Sequence, residues 1–196
     1  MISALARASA LDLAALGPAD RDRPSRRRER AWVRAAQSGS QDAMEELFKA
    51  HWGPAHRAAF LIVHDAAAAE DIAQEAFLAA IRALDRFDRR RPFGPWLHRI
   101  VVNRAIDWSR ARALRREVGE AIGDQPAPPE QPTGWSDEVL GALACLDPDQ
   151  RAAVVLRHLL EYTPGEIARL LEVPRGTVNS RLRRALDRLA LELDAP

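Results

Sequence analysis

Arg175, Asn179, Ser180, Arg183 and Arg184 recur at spacings that place them on one side of a helix. Val178, Leu182, Ala185, Leu186 and Leu189 fall on the other side, as the buried stripe such a helix needs. Guanidinium and amide donors held outward on a packed helix are the chemistry that reads base edges in a major groove. An ordinary solvated face would mix signs. Val173 to Leu186 holds four arginines and no acid. A second set lies upstream. Arg99, Asn103, Asp107 and Arg110 are spaced three or four apart behind Trp96, and Phe87, Arg89, Arg90, Arg91 and Phe93 precede them. Rings beside cations can stack unpaired bases and hold phosphates. Phe87 and Trp108 fit a core at least as well.

Other chemistry finds little support. The phosphate-cradling GxxxxGK[ST], the dinucleotide GxGxxG and the nucleophile elbow GxSxG are all missing. His51 and His56 are five apart, which does not put two ligands on one helix face, and neighbouring acids such as Glu45 and Glu46 point apart. The sequence therefore predicts no enzyme, no metal and no cofactor. Cys145 is the only cysteine, so no internal disulfide can form, and a reducing cytoplasm is the expected home. It reads as a small buried hydrophobe rather than a reactive thiol.

The elements that must position these side chains read as helices throughout, giving an all-α chain of two helical domains joined by an extended acidic linker. With 196 residues and 47% hydrophobic content, both can bury cores. The net charge of +1 conceals zoning: His98 to Arg116 has six arginines against one acid, while Glu117 to Glu138 has six acids and no base. Residues 1–29 read as a disordered tail, 30–116 as the first domain, 117–134 as the linker with Pro126, Pro128, Pro129 and Pro132, and 135–196 as the second. Ser40 to Asp42 predicts a cap for a helix from Ala43 to His51, and Pro54 the start of another. Asp71 to Phe87 is a long helix with Ala73, Ala76, Phe77, Ala80, Ile81 and Leu84 turned to the core. Its other face, Asp71, Gln74, Glu75 and Leu78, suits either solvent or a basic helical partner.

AMEELFKAHW, AEDIAQEAFLAAIRALDRF and PFGPWLHRIVVNRAIDWSR resemble region 2 of the extracytoplasmic-function sigma factors of bacterial RNA polymerase. LDPDQRAAVVLRHLLEYTPGEIARLLEVPRGTVNSRLRRAL resembles their region 4, and the likeness spans Arg30 to Leu189 in the family's order. The resemblance implies a promoter-specificity subunit, monomeric outside the holoenzyme and without small-molecule substrate. It implies docking of Asp71, Gln74, Glu75 and Leu78 on the clamp helices of the largest polymerase subunit, with a further contact to the flap of the second-largest. By the same likeness Arg175, Thr177, Asn179, Ser180, Arg183 and Arg184 read the minus-35 element as duplex. Phe87, Arg89, Arg90, Trp96, Arg99, Asn103, Asp107 and Arg110 engage the minus-10 element, where capture of an extruded base offsets its unstacking. An anti-sigma factor is the expected regulator. Glu172 departs from the family, standing where such turns usually place a glycine at positive φ. A self-sufficient DNA-binding regulator is the competing reading; it has no use for an acid-faced docking helix.

Overall fold

The computed structural model describes residues 24–117 and 137–193. The described residues form α-helices with short 3₁₀ and π turns and contain no strand. The order is α1 (Arg26–Gln37), α2 (Gln41–Val63), α3 (Ala66–Ala83) with a 3₁₀ turn (Leu84–Arg86), and α4 (Phe93–Glu117). After the acidic segment come α5 (Asp137–Ala144), α6 (Pro148–Val154) running into a π turn (Val155–Leu159), α7 (Pro164–Leu171) and α8 (Arg175–Leu193).

Helix starts follow the caps. Ser25, Ser40 and Asp65 each accept from the backbone N–H three residues on, at 3.3, 3.3 and 3.0 Å. Thr163 and Glu166 close a reciprocal capping box on α7, with Pro164 at the first helical position. Gly39, at φ +89°, makes the turn from α1 to α2.

Several expectations change, among them the helix read over Asp71 to Phe87, which spans Ala66–Ala83. Among the described residues helix begins at Arg26 rather than near Arg30, because Glu29 is buried and draws the charged run RRRER into a helix. The remainder of the expected tail, residues 1–23, and nearly all of the linker lie outside the described residues. Pro54 starts no new helix: α2 runs through it, since Ala55, Ala58 and Leu61 on the following turns are fully buried and packing outweighs one absent N–H. Ile81 is 42% exposed rather than turned to the core.

Glu29 explains why α1 exists. Its carboxylate lies 3.0 Å from His51 Nε2 on α2 and accepts from the Phe93 and Gly94 amides at 3.2 and 3.3 Å, satisfying orphan donors at the start of α4. Burial alone would raise this carboxyl; the imidazole and the two amides outweigh it and hold it below the ordinary carboxylate value. A Cβ on Gly94 would come within 3.1 Å of the His51 ring, so a larger residue here would push that ring aside by a few tenths of an ångström. Gln37, at the other end of α1, donates to Leu84 O and Phe87 O at 2.8 and 3.0 Å. Arg30 donates to Arg90 O between them. One charged helix thus pins both ends and the middle of the arginine loop.

The two halves share a continuous core running from Val33 to Leu189. Arg151 on α6 is its polar hinge. Its guanidinium donates to Leu143 O and Ala144 O at the end of α5, to Leu146 O just past it, and to Ile62 O at the end of α2. These carbonyls lie where helices end; Leu143 O also accepts from the Leu146 amide and Ile62 O from the Ser109 hydroxyl, and Arg151 adds to both. Burial pushes the Arg151 pKa down to about 10, so it stays charged.

His64 ends α2 in the left-handed region at φ 54°. Burial, and then the Arg151 charge, push its imidazole down to about 4. Above the ordinary histidine value near 6.5 both folded and unfolded chains are neutral there. Between 6.5 and about 4 only the unfolded chain takes the proton, so stability falls as pH drops through that window, by about 3 kcal/mol in full. His56 and His158 are shifted the same way by burial, so the comparison must be with a variant. His64→Asn keeps a residue that tolerates positive φ. Urea unfolding at neutral pH and near pH 4.5 should show a smaller acid loss in the variant; identical losses would show that His64 titrates normally.

Candidate nucleic-acid interface

In the second half the apolar side of α8 is packed and its arginine side is not. Val178 and Ala185 are fully buried and Leu189 is 1% exposed, which fixes the roll of α8 on α7. Arg175, Asn179, Arg183 and Arg184 are consequently exposed. Thr177 and Ser180 are half-buried, and the Ser180 hydroxyl donates to Thr177 O at 2.9 Å, so their part in any contact is smaller. Arg181, not singled out by the sequence, is bound to Asp149 at 2.7 Å. Between the two helices Glu172 sits at φ 55°, as expected for a glycine position, a strain of about 1 kcal/mol. Its N–H still closes the helix on Ala168 O.

In the first half, Asn103, Asp107 and Arg110 lie exposed along α4, with Trp96 and Arg99 half-buried at its start. The preceding loop is a tight turn: Asp88 accepts from the Arg90 amide at 2.9 Å, and Arg91 N–H reaches Asp88 O at the same distance. Arg89, Arg90 and Arg91 are thrown outward by it. Phe87 is 8% exposed, its ring 4.5 Å from that of Trp96 and 5.9 Å from that of Phe93. It is a packing residue supporting Trp96, and its face is not open to a base. Trp108 packs against Arg112, whose guanidinium pairs with Asp65 at 3.0 Å.

The face of α3 carries exposed Asp71, Gln74 and Glu75, with Leu78 51% exposed. Gln74 donates to Glu70, and Glu75 pairs with Arg104 on α4. Ile81 and Phe48, each 42% exposed, extend it into an apolar groove of about 300 Å³ floored by Phe77 and Leu84. Sequence reasoning missed Phe48 and Ile81. Ile81 reads as core and Phe48 is not singled out; both are exposed, on α3 and α2 respectively.

No group of three or more metal-ligating side chains gathers among the described residues. Nor is any helix there long and apolar enough to cross a membrane. Cys145 is half-buried; burial raises its thiol above the usual value, and Sγ donates to Ala142 O. That is an unreactive thiol.

An all-helical pair of domains, one ending in a helix-turn-helix and the other offering an arginine loop beside a polar helix face, defines a DNA-binding protein of two modules. Comparison with known proteins carries this further. Residues 47–115 match the pattern of Sigma-70 region 2, and residues 136–189 that of Sigma-70 region 4. The chain is 37% identical over 157 residues to the ECF RNA polymerase sigma factor SigM of Mycobacterium tuberculosis, covering 78% of each. It is 31% identical over 174 residues to the RNA polymerase sigma factor CnrH of Cupriavidus metallidurans, covering 82% of this chain and 91% of that one. Among solved structures it resembles CnrH in complex with the cytosolic domain of CnrY, with a TM-score of 0.66 over 86% of this chain and 98% of that one. It also resembles RpoE of Bartonella quintana bound to the anti-sigma factor NepR, with a TM-score of 0.62 at 25% identity, covering 76% and 97%. The chain belongs to the extracytoplasmic-function sigma factors, and its function is accordingly that of the family: binding RNA polymerase and directing promoter-specific initiation.

Proposed function

We propose that the chain reads the minus-35 element as duplex through Arg175, Asn179, Arg183 and Arg184, and opens the minus-10 element through the loop and face that lead into α4. The observation that carries this is the roll of α8: Val178, Ala185 and Leu189 bury one side completely, so the arginine side has nowhere to face but outward. Thr177 and Ser180 border this surface. At the minus-10 element, exposed Arg89 and Arg90 with Asn103, Asp107 and Arg110 would hold backbone and an extruded base, and Trp96 supplies the ring. Phe87 acts beneath Trp96 rather than on the base. Such capture offsets an unstacking cost of a few kcal/mol.

Asp71, Gln74, Glu75 and Leu78 would dock the clamp helices of the largest polymerase subunit, with the neighbouring groove at Phe48 and Ile81 covering apolar side chains of that partner. The second half would meet the flap of the second-largest subunit. The chain acts as a specificity subunit rather than a catalyst, and works in the cytoplasm beside polymerase. An anti-sigma factor is the natural regulator, given that the RpoE relative above was solved bound to the anti-sigma factor NepR.

Run-off transcription with core polymerase on a library of promoter fragments tests the whole reading. New start sites sharing upstream elements are the expected result. Absence of polymerase binding, with the chain alone footprinting duplex, would replace it with a free-standing regulator. Within the same assay Asn103→Ala should lower open-complex formation about tenfold while leaving holoenzyme assembly intact. Loss of assembly instead would remove Asn103 from the opening step.

A further inference from the structure

At the start of α4 the two halves enclose a cleft of two adjoining compartments. Contacts on α4 fasten the halves around it: His98 Nδ1 lies 2.8 Å from the Tyr162 hydroxyl, Arg99 pairs with Glu172 at 2.6 Å, and Arg110 with Asp149 at 2.7 Å. The outer compartment, about 300 Å³, is lined by Arg26 of α1, Arg91 of the loop, Trp96 and Arg99 of α4, and Arg169 of α7. Glu29, His51, His98 and Tyr162 line the inner one, of about 270 Å³. Arg26, Tyr162 and Glu166 border both. Four guanidiniums from four separate segments thus converge on one opening. Arg26, Arg91 and Arg169 are exposed and pair with no carboxylate among the described residues. Arg26 and Arg169 feel Glu166 only from beyond bonding distance, and that carboxylate is engaged by the Thr163 amide and hydroxyl at 2.9 and 2.7 Å. Like charges gathered without counter-charges repel one another and concentrate anions; a seam between packed helices has no need of them. The inner compartment differs in kind. His51, His98 and Tyr162 are 7%, 3% and 9% exposed, and they offer rings with hydrogen-bonding atoms.

We propose that this cleft is a binding site for a nucleoside polyphosphate, with the phosphates on Arg26, Arg91 and Arg169 and the base in the compartment of His98 and Tyr162. A guanidinium grips phosphate oxygens through a planar fork of charge-assisted hydrogen bonds, about twice as strong as neutral ones. Several such forks around one opening suit a chain of phosphates better than a single carboxylate. A few placed polar groups in an otherwise ring-lined cavity are what orients a heterocycle, and small-molecule sites run from about 300 to 1,000 Å³. Inorganic phosphate alone would leave the inner compartment unused. The site does not rest on the promoter contacts proposed above, because Arg26, Arg169 and Tyr162 take no part in them. Its walls come from both halves, so an occupant that binds only the folded chain stabilises it by mass action.

The test titrates the full chain, free of polymerase, with each of the four common ribonucleoside triphosphates, using calorimetry and the thermal midpoint. Tripolyphosphate and the free nucleosides are the controls. At least one nucleoside triphosphate should bind, raise the midpoint, and hold roughly tenfold more tightly than tripolyphosphate. Arg26→Gln with Arg169→Gln should weaken that binding by at least about tenfold. Both side chains are exposed and unpaired, so the fold is spared, and a circular dichroism melt checks it. Tyr162→Phe keeps the ring and should narrow the preference for the nucleotide over tripolyphosphate while leaving tripolyphosphate binding unchanged. Failure of every nucleoside triphosphate to bind at millimolar concentration overturns the proposal. Equal binding of tripolyphosphate and all four nucleotides reduces the cleft to a polyanion patch and overturns the nucleotide assignment. Undiminished binding in the double arginine variant puts the ligand elsewhere and overturns the site. A single-stranded oligodeoxynucleotide that binds where nucleotides do not, and is lost in the same variant, gives the cleft to opened promoter DNA instead.

Discussion

Asp71→Arg combined with Glu75→Arg is expected to abolish assembly with core polymerase while both halves stay folded. The two carboxylates lie exposed one helical turn apart on α3, on a face whose buried side is set by Ala69, Ile72, Ala73 and Ala76. Nothing in the core depends on them. Reversing both turns a doubly negative patch into a doubly positive one, and against a basic partner helix juxtaposed like charges cost several kcal/mol. That is enough to move a tight complex out of reach at ordinary concentrations. The folded state loses little: the Glu75–Arg104 pair is exposed on both sides, and pairs of this kind are worth at most about 1 kcal/mol. Size-exclusion chromatography with core polymerase reads assembly, and a circular dichroism melt confirms the fold. Undiminished co-elution would mean that the acidic face is solvated and that docking runs elsewhere. Leu78→Ala is the graded companion, weakening rather than abolishing binding, because it removes apolar contact without adding repulsion.

What the chain disclosed in advance divides along physical lines. The helix-turn-helix was readable because its signals are local: a stripe of apolar residues at helical spacing, a run of arginines opposite it, and a turn at Glu172. The positive φ of Glu172 followed from its place in the turn alone. The burial of Glu29 was not readable. Its partners, the Phe93 and Gly94 amides, are 64 and 65 residues away, and a run of arginines around it looks like solvated tail until α4 is in place. Pro54 misled for the opposite reason: a local breaker signal was overridden by burial on the following turns. Phe87 was ambiguous to periodicity and Ile81 was misplaced in the core by it, since an aromatic or branched residue at a helix edge is turned in or out by the packing of its neighbours. Arg151 and Asp149 gave no signal at all. Their roles arise where the two halves meet, and no spacing within either half encodes that meeting.

Arg183→Ala and Arg184→Ala should each weaken binding to the minus-35 element by about 1–3 kcal/mol, roughly 5- to 150-fold in affinity. Both side chains are exposed on the middle turns of α8, opposite the fully buried Ala185, so truncation leaves the packing of the helix untouched. The two modes of arginine contact separate in how the loss depends on sequence and salt. A residue that reads a guanine edge loses discrimination at one base pair and leaves the salt slope nearly unchanged. One that holds a phosphate weakens all sequences alike and lowers the slope by about one. Neighbouring Arg181 supplies the internal contrast: it is 22% exposed and held by Asp149, so its truncation should remove less minus-35 affinity than either. Titrating holoenzyme onto promoter variants at several salt concentrations resolves all three. If the Arg183 and Arg184 variants bind as tightly as the unaltered chain, α8 is not the reading helix. If instead Arg181→Ala has the largest effect, Asp149 must release Arg181 on DNA, and the reading face is turned about a quarter of the helix from the one assigned here.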